Sequence, residues 1–264
     1  GASLDAMAWV ARYRLALFSN FTFFADDPER GDMIEQTDDR TTAGFRAAWR
    51  AVHTAGSWRF ESTAGAQGRA DFIDNGLFRS PARLRAETRV LASVREGSIG
   101  VFAQEQITPA RWLRLVLGVR ADLFDFAVED HRTGLPRIDP EASGARQAII
   151  VSPKATLVLS PWRWLDLYLN FGSGFHSNDA RGVVRRTDPV TPLARALGYE
   201  AGVRAHFGDR FDLAAAAWGI DLESEQVYVG DEGITEARGP TRRLGVTGEV
   251  RWAIRAWLRA DADV

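Results

Sequence analysis

Along most of this chain apolar and polar residues alternate one for one. In "RWLRLVLGVRADLF" (111–124), Leu113, Leu115, Leu117, Val119, Ala121 and Leu123 take every second position. Between them stand Arg114, Val116, Gly118, Arg120 and Asp122. A period of two marks a β-strand whose faces meet different surroundings. "FRAAWRAVHT" sets Phe45, Ala47 and Trp49 against Thr42, Arg46 and Arg50, and "WRFESTAGAQGR" sets Trp58, Phe60 and Ala64 against Arg59, Glu61 and Thr63. "WLDLYLNFGSGF", "YEAGVRAHF" and "RRLGVTGEVRW" repeat the pattern. It predicts about eleven strands, many of ten or more residues, where globular strands average about five or six. "FDLAAAAWGIDL" is apolar on both faces, so its parity stays open, and "RLRAETRVLASV" reads as a short helix or part of a long loop.

The predicted connections alternate in length. Short ones fall near 54–57, 108–111, 160–163, 208–210 and 252–255, and long ones near 25–40, 68–97, 129–146, 176–196 and 230–240. In an up-and-down meander this puts every tight turn at one end and every long loop at the other. Transmembrane barrels sort their loops this way. The aromatic residues follow the same division. Trp58, Trp112, Trp162, Trp164, Trp252 and Trp257 lie near the short turns. Phe18, Phe21, Phe23, Phe124, Phe126, Phe171 and Phe175 lie toward the long loops. Trp and Phe suit any strand, but clustering that tracks loop length fits two interfacial girdles.

Charge decides which face is which. The 264 residues carry a formal net charge of −2 with 26% charged residues, a balance that points to no nucleic-acid partner. No run of about 18 apolar residues offers a helical membrane span. The absence of cysteine excludes disulfides and thiolate metal sites. A packed core does not hold arginine on strand after strand without burying unpaired charge. A wet lumen does, with the leucine face turned to lipid. A soluble sandwich would show shorter strands and unsorted loops. The chain therefore reads as all-β: an antiparallel, up-and-down transmembrane β-barrel segment forming one partial domain over 1–264. It opens at Gly1 and stops within the alternating "LRADADV", which reads as a piece of a longer chain.

Three stretches carry a family resemblance. "SIGVFAQEQITPARWLRLVLGVRADLF" holds G-x-(aromatic)-A-Q and G-x-R-x-D patterns around a tight turn. "VSPKATLVLSPWRWLDLYLNFGSGFHSNDARG" holds S-P-K-A and G-x-G-F, and "LGYEAGVRAHFGDRFDLAAAAWGIDLESEQVYVGDEG" holds Y-E-x-G-V-R and D-x-E. In this order, over 97–252, they resemble the barrel of a TonB-dependent outer-membrane receptor. The resemblance implies a barrel of about 22 strands, of which this chain holds about half. It also implies an N-terminal plug domain, a TonB complex acting on that plug, and uptake of a scarce ligand such as a ferric siderophore in a Gram-negative outer membrane. Neither a plug, a TonB box nor a terminal aromatic strand is visible in these residues. A passive porin shares the alternation and girdles and would lack the plug. An outer-membrane barrel enzyme would need "HSND" to assemble a catalytic group, which neighbouring loop residues rarely do.

Candidate ligand groups sit in "GFHSNDARGVVRRTDP": His176, Asn178, Asp179, Arg181, Arg185 and Arg186, at the predicted extracellular mouth. Their cations suit an anionic metal chelate. The alternative is a solvated loop with local Asn and Asp turns, or arginines at lipid phosphates. Arg120, Asp122, Lys154, Glu200, Arg204 and Arg243 are expected to face the lumen, there to contact a plug or to pair across strands. The acidic "DDPERGDMIEQTDD" and the pair Asp231 and Glu232 are expected to be solvated loops without a calcium-loop spacing. His53, His131 and His206 stand alone, so no metal site and no cofactor is implied.

Overall fold

A computed structural model describes residues 1–25, 27–132, 143–229 and 234–264, the side chains of 226–229 and 234–238 excepted. Asp26, Asp231 and Glu232 lie outside the described residues. The strands are β1 (Ala2–Ser19), β2 (Ile34–Ala55), β3 (Trp58–Arg79), β4 (Glu87–Ala110), β5 (Leu113–Asp130), β6 (Gly144–Trp162), β7 (Leu165–Ser177), β8 (Leu193–Phe207), β9 (Phe211–Leu222), β10 (Glu225–Val229), β11 (Ile234–Arg238), β12 (Thr241–Arg255) and β13 (Leu258–Asp263). One four-residue helix, α1 (Ala180–Val183), follows β7. Eleven strands form a single antiparallel meander in the order β1 to β9, β12, β13, and β10 and β11 make a separate hairpin.

Register shows which residues share a face. Leu117 pairs with Ala155 and Glu105, Val119 with Pro153 and Ala103, and Leu123 with Ile149 and Ile99. Carried across the sheet, these pairs give one apolar outer face, where Leu117, Val119, Val151, Leu169 and Val246 are all exposed. The ladder also settles the parity of β9: Leu213 and Ala217 face outward beside Val250 and Val246, and Trp218 faces inward over Gly245. The outer apolar run spans Leu113 to Leu123 on β5 and Ile149 to Leu159 on β6. Its length matches the roughly 9–11 residues that carry a tilted strand across hydrocarbon. Charged outward residues end the belt at Asp39, Arg95, Asp125 and Asp221, with Arg12 and Arg14 bonded to Asp39.

At the opposite end the turns are tight. Gly56 and Gly208 take φ of 62° and 64°, a left-handed backbone that glycine enters without steric cost. Trp162 stacks on Trp164 with ring centroids 5.5 Å apart, and Trp164 on Phe207 at 5.1 Å, so this girdle runs from the end of β6 through the β6–β7 turn to the end of β8.

Two expectations change. The long loops near 25–40 and 68–97 shrink, because β2 begins at Ile34, β3 continues to Arg79 and β4 begins at Glu87. "RLRAETRVLASV" is therefore mostly strand. Above the lipid belt neither face needs to be apolar, so the alternation fades, while ladder hydrogen bonds still extend the strands. The Phe band also divides: Phe124 and Phe126 point inward, and Phe126 is fully buried. Both belong to an interior cluster, with Phe175 edge-on to Phe124 at 5.6 Å.

The face assignment predicts unequal effects of charge. Leu115→Arg or Leu167→Arg should cost about 2–4 kcal/mol near the bilayer midplane and deplete the heat-modifiable, membrane-inserted form on gels. Arg120→Leu should leave that form abundant.

Candidate ligand path along the inner face

The inner face is polar along its lower half and partly covered by a loop along its upper half. After Ser177 the chain turns inward instead of out to solvent. Asn178 is 2% exposed and donates from Nδ2 to the Thr191 carbonyl at 2.5 Å, which closes the base of the loop. Asp179 caps α1 by accepting the Arg181 N–H at 2.9 Å, and also accepts from Arg181 Nε at 3.0 Å. Glu96 lies beside the Ala180 backbone N–H. Ala180, Val183 and Val184 then pack on Val94, Phe126, Val128 and Ile150. Burial of this apolar set holds the loop against the wall.

Beneath α1 lies a cleft of about 310 Å³, lined among others by Gln36, Asp38, Arg40, Glu96, Asp179 and Arg181. Its floor is ordered by ion pairs. Arg40 Nε donates to Asp38 at 2.7 Å, Arg69 Nε donates to Asp71 at 2.6 Å, and Thr42 Oγ1 donates to the other Asp71 oxygen at 2.7 Å. Arg69 also lies over the Trp9 ring.

A second cleft, of about 540 Å³, lies lower on the same face. Inward residues at one level are Arg50, Thr63, Gln104, Gly118 and Lys154, on five successive strands. The Lys154 stem crosses Gly118, where a Cβ would come within 2.7 Å of its Cε, so this glycine makes room for the lysine. Arg120 folds over Gly100, donates from Nε to Asp122 at 2.7 Å, and reaches Gln67, whose amide oxygen, turned toward it, lies 2.8 Å away. Arg46, Arg50 and Lys154 line this cleft and, among the described residues, make no ion pair.

The predicted groups fall into three sets. His176 lies one residue before the end of β7, half-buried, and Asn178, Asp179 and Arg181 build the inward loop, with Asp179 and Arg181 lining the upper cleft. Arg185 and Arg186 are exposed on that loop. Of the lumen set, Asp122 is 3% exposed beneath Arg120, Glu200 accepts from Asn170 Nδ2 at 2.9 Å, Arg204 lies over Tyr168, and Arg243 pairs with Glu225. Pairing across strands is expected from the sequence, but the frequent pattern is i,i+2 along one strand: Arg40 with Asp38, Arg59 with Glu61, Arg69 with Asp71, Arg120 with Asp122. Same-face neighbours on a strand lie about 7 Å apart, a gap that a folded arginine spans. Arg46 and Arg50 were visible in "FRAAWRAVHT" on the polar face. Their place in the lower cleft depends on the pairing of β2 through β6.

The acidic segment before β2 is a folded turn. Asp27 accepts the Glu29 and Arg30 N–H groups at 3.1 and 2.9 Å and pairs with Arg79, and Asp32 accepts the Asp27 N–H at 2.8 Å. The Arg30 N–H and then the Arg79 guanidinium hold the Asp27 carboxyl below its ordinary range.

An unclosed antiparallel meander with a bilayer-high apolar face, an aromatic girdle and a polar inner wall defines part of an outer-membrane-type β-barrel. The sequence matches the TonB dependent receptor-like, beta-barrel family over residues 3–263, and the chain belongs to that family. The siderophore receptor PiuA from Acinetobacter baumannii superposes with a TM-score of 0.76 at 14% identity, over 97% of this chain and 42% of PiuA. The ferric-catecholate import receptor Fiu from K12 E. coli gives 0.66 at 14%, over 99% and 45%. The copper transporter OprC gives 0.69 at 15%, over 99% and 42%. The chain thus spans less than half the length of these structures. No curated protein sequence matches the chain.

Two outcomes test this geometry. Val183→Asp should release the loop from Phe126 and expose 178–192 to limited proteolysis, while the heat-modifiable barrel persists. For Asp27, a depressed carboxyl lends stability that is present above the unfolded carboxyl range and lost as pH falls through its folded value. Proteolysis of the 20–33 loop should therefore be slow at neutral pH and rise below about pH 4, and Asp27→Asn should raise it at neutral pH.

Proposed function

We propose that this chain is part of the barrel wall of a TonB-dependent outer-membrane receptor for active uptake of a scarce ligand, an anionic metal chelate of the ferric siderophore kind. The observation that carries this reading is the unpaired cation set in the lower cleft. Among the described residues no carboxylate is bonded to Arg46, Arg50 or Lys154, which face one space, so the wall favours a ligand or plug surface of negative charge. Arg185 and Arg186 on the inward loop extend the positive path toward the mouth, where His176 and Arg181 flank the entry. Arg120, Asp122, Glu200, Arg204 and Arg243 shape the lumen wall against which a plug domain of the full-length protein sits, and the TonB complex acts through that plug. PiuA and Fiu, named for siderophores and ferric catecholates, support the ligand class. OprC, named for copper, shows that the same barrel shape serves other cargo.

The test is uptake of radiolabelled ferric siderophores by iron-starved cells carrying the full-length protein. Uptake should vanish when TonB is removed. Uptake that persists without TonB would identify a passive porin. Arg50→Glu with Lys154→Glu should weaken ligand binding or transport roughly tenfold, with heat-modifiable folding unchanged.

A further inference from the structure

Among the described residues, the outward belt between the Trp girdle and the charged rim holds one carboxylate and no lysine or arginine. That carboxylate is Glu105. Its outward placement follows from register: it stands opposite Ser62 on β3 and Leu117 on β5, with Ala103 and Ile107 beside it on β4. β3, β4 and β5 all lie inside the sheet, so no edge strand accounts for the position. Its Oε1 is buried and has no hydrogen-bond partner. A carboxylate on a lipid-facing surface is costly to keep, and an intramembrane ionisable group marks an interaction by default.

The surroundings show what could meet it. Glu105 lies at one end of a shallow outer groove of about 650 Å³. The groove floor is small, formed by Ala64, Ala103 and Ala155, and its walls are Trp49, Leu117 and Phe171. Such a slot admits a flexible hydrocarbon chain. One outward step below Glu105, toward the tight turns, lies the Phe60–Ile107 row. Phe60 stacks on His53 at 5.0 Å and lies 6.1 Å from Trp58. These rings mark the interface on the tight-turn side. Two residues of tilted strand bring Glu105 about 5 Å above them, within reach of the headgroup zone for a side chain that leans down. Among the described residues a second copy of this chain offers no lysine or arginine at this depth, and an isologous contact would set Glu105 against its own mate. The complementary group is a lipid ammonium.

We propose that Glu105 and the groove beside it bind a phospholipid whose headgroup carries a primary ammonium, on the tight-turn side of the membrane. The ammonium N–H groups bond to the carboxylate, and an acyl chain lies over Ala64, Ala103 and Ala155. A quaternary choline headgroup has no N–H to donate and is discriminated against at this point. The inference rests on the membrane-spanning reading of the barrel and is independent of the ligand carried through it.

The experiment is native mass spectrometry of the full-length protein, purified in detergent and offered equimolar phosphatidylethanolamine and phosphatidylcholine of the same acyl composition. The wild type should retain the ethanolamine lipid in roughly fivefold preference. That preference should fall stepwise through the mono- and dimethylated headgroups and vanish in Glu105→Gln. Removing a charge from the lipid face eases insertion, so this variant should assemble, and the methylation series tests the wild type without any variant. Leu117→Trp, which fills the groove while leaving the carboxylate, should lower retention of both lipids. Equal retention of the two lipids by the wild type, or a preference unchanged in Glu105→Gln, overturns the proposal. A protein cross-linked at Leu117 in place of any lipid also overturns it, in favour of a protein partner. Absence of all bound phospholipid, in a form that fails to insert in vesicles, would instead remove the membrane-spanning reading itself.

Discussion

A strand inside hydrocarbon has no water to satisfy its N–H and C=O groups, so every one of them must bond to a neighbouring strand. The rest of this structure follows from that demand. It requires long, unbroken antiparallel ladders, and the meander β1 to β9, β12, β13 supplies them, with every pair but β9–β12 following directly in sequence. The same demand confines irregular backbone to the two ends. There the tight turns around Gly56 and Gly208 and the longer upper loops can meet water or the interior. It also explains why β2, β3 and β4 run to 22, 22 and 24 residues. Once a ladder is established through the bilayer, extending it into water adds paired backbone at little extra cost.

With the backbone paired, the two faces are free to differ. The outer face repeats small and branched apolar residues, and several glycines there and inside serve as beds for large neighbours. Phe45 lies on Gly68, Phe102 on Gly65 and Trp218 on Gly245. A ring across a strand from a glycine covers the exposed backbone and fixes register. The inner face uses charge in a similar local way. Several carboxylates, Asp38, Glu61, Asp71 and Asp122 among them, are held by an arginine two residues away on the same strand. Among the described residues Arg46, Arg50 and Lys154 make no ion pair, and together they set the sign of the lower cleft they line.

The upper inner face works differently. There the wall is apolar around Phe126, and the segment after β7 folds down to cover it. Asn178 and Asp179 read as exposed loop groups from their chemistry, yet one closes the loop base and the other caps a one-turn helix. Polar residues of this kind bond readily to nearby backbone, and the hydrophobic wall beneath determines which way the loop falls.

How far the sequence alone reaches can be seen residue by residue. Alternation over Leu113–Leu123 identified the lipid face, because a one-residue slip would turn the whole apolar set to the wrong side. Loop sorting and tryptophan placement showed which end carries the tight turns, since both respond to the bilayer directly. Arg120 and Asp122 were legible as inward for the same reason. The extensions of β3 and β4 were not legible, because above the membrane no solvent contrast imposes a period. The inward fold of 178–192, the burial of Phe126 beneath it, and the convergence of Arg50 with Lys154 were decided by tertiary structure. Each joins residues from separate strands, and that proximity exists only once the ladder sets which residues stand at the same level.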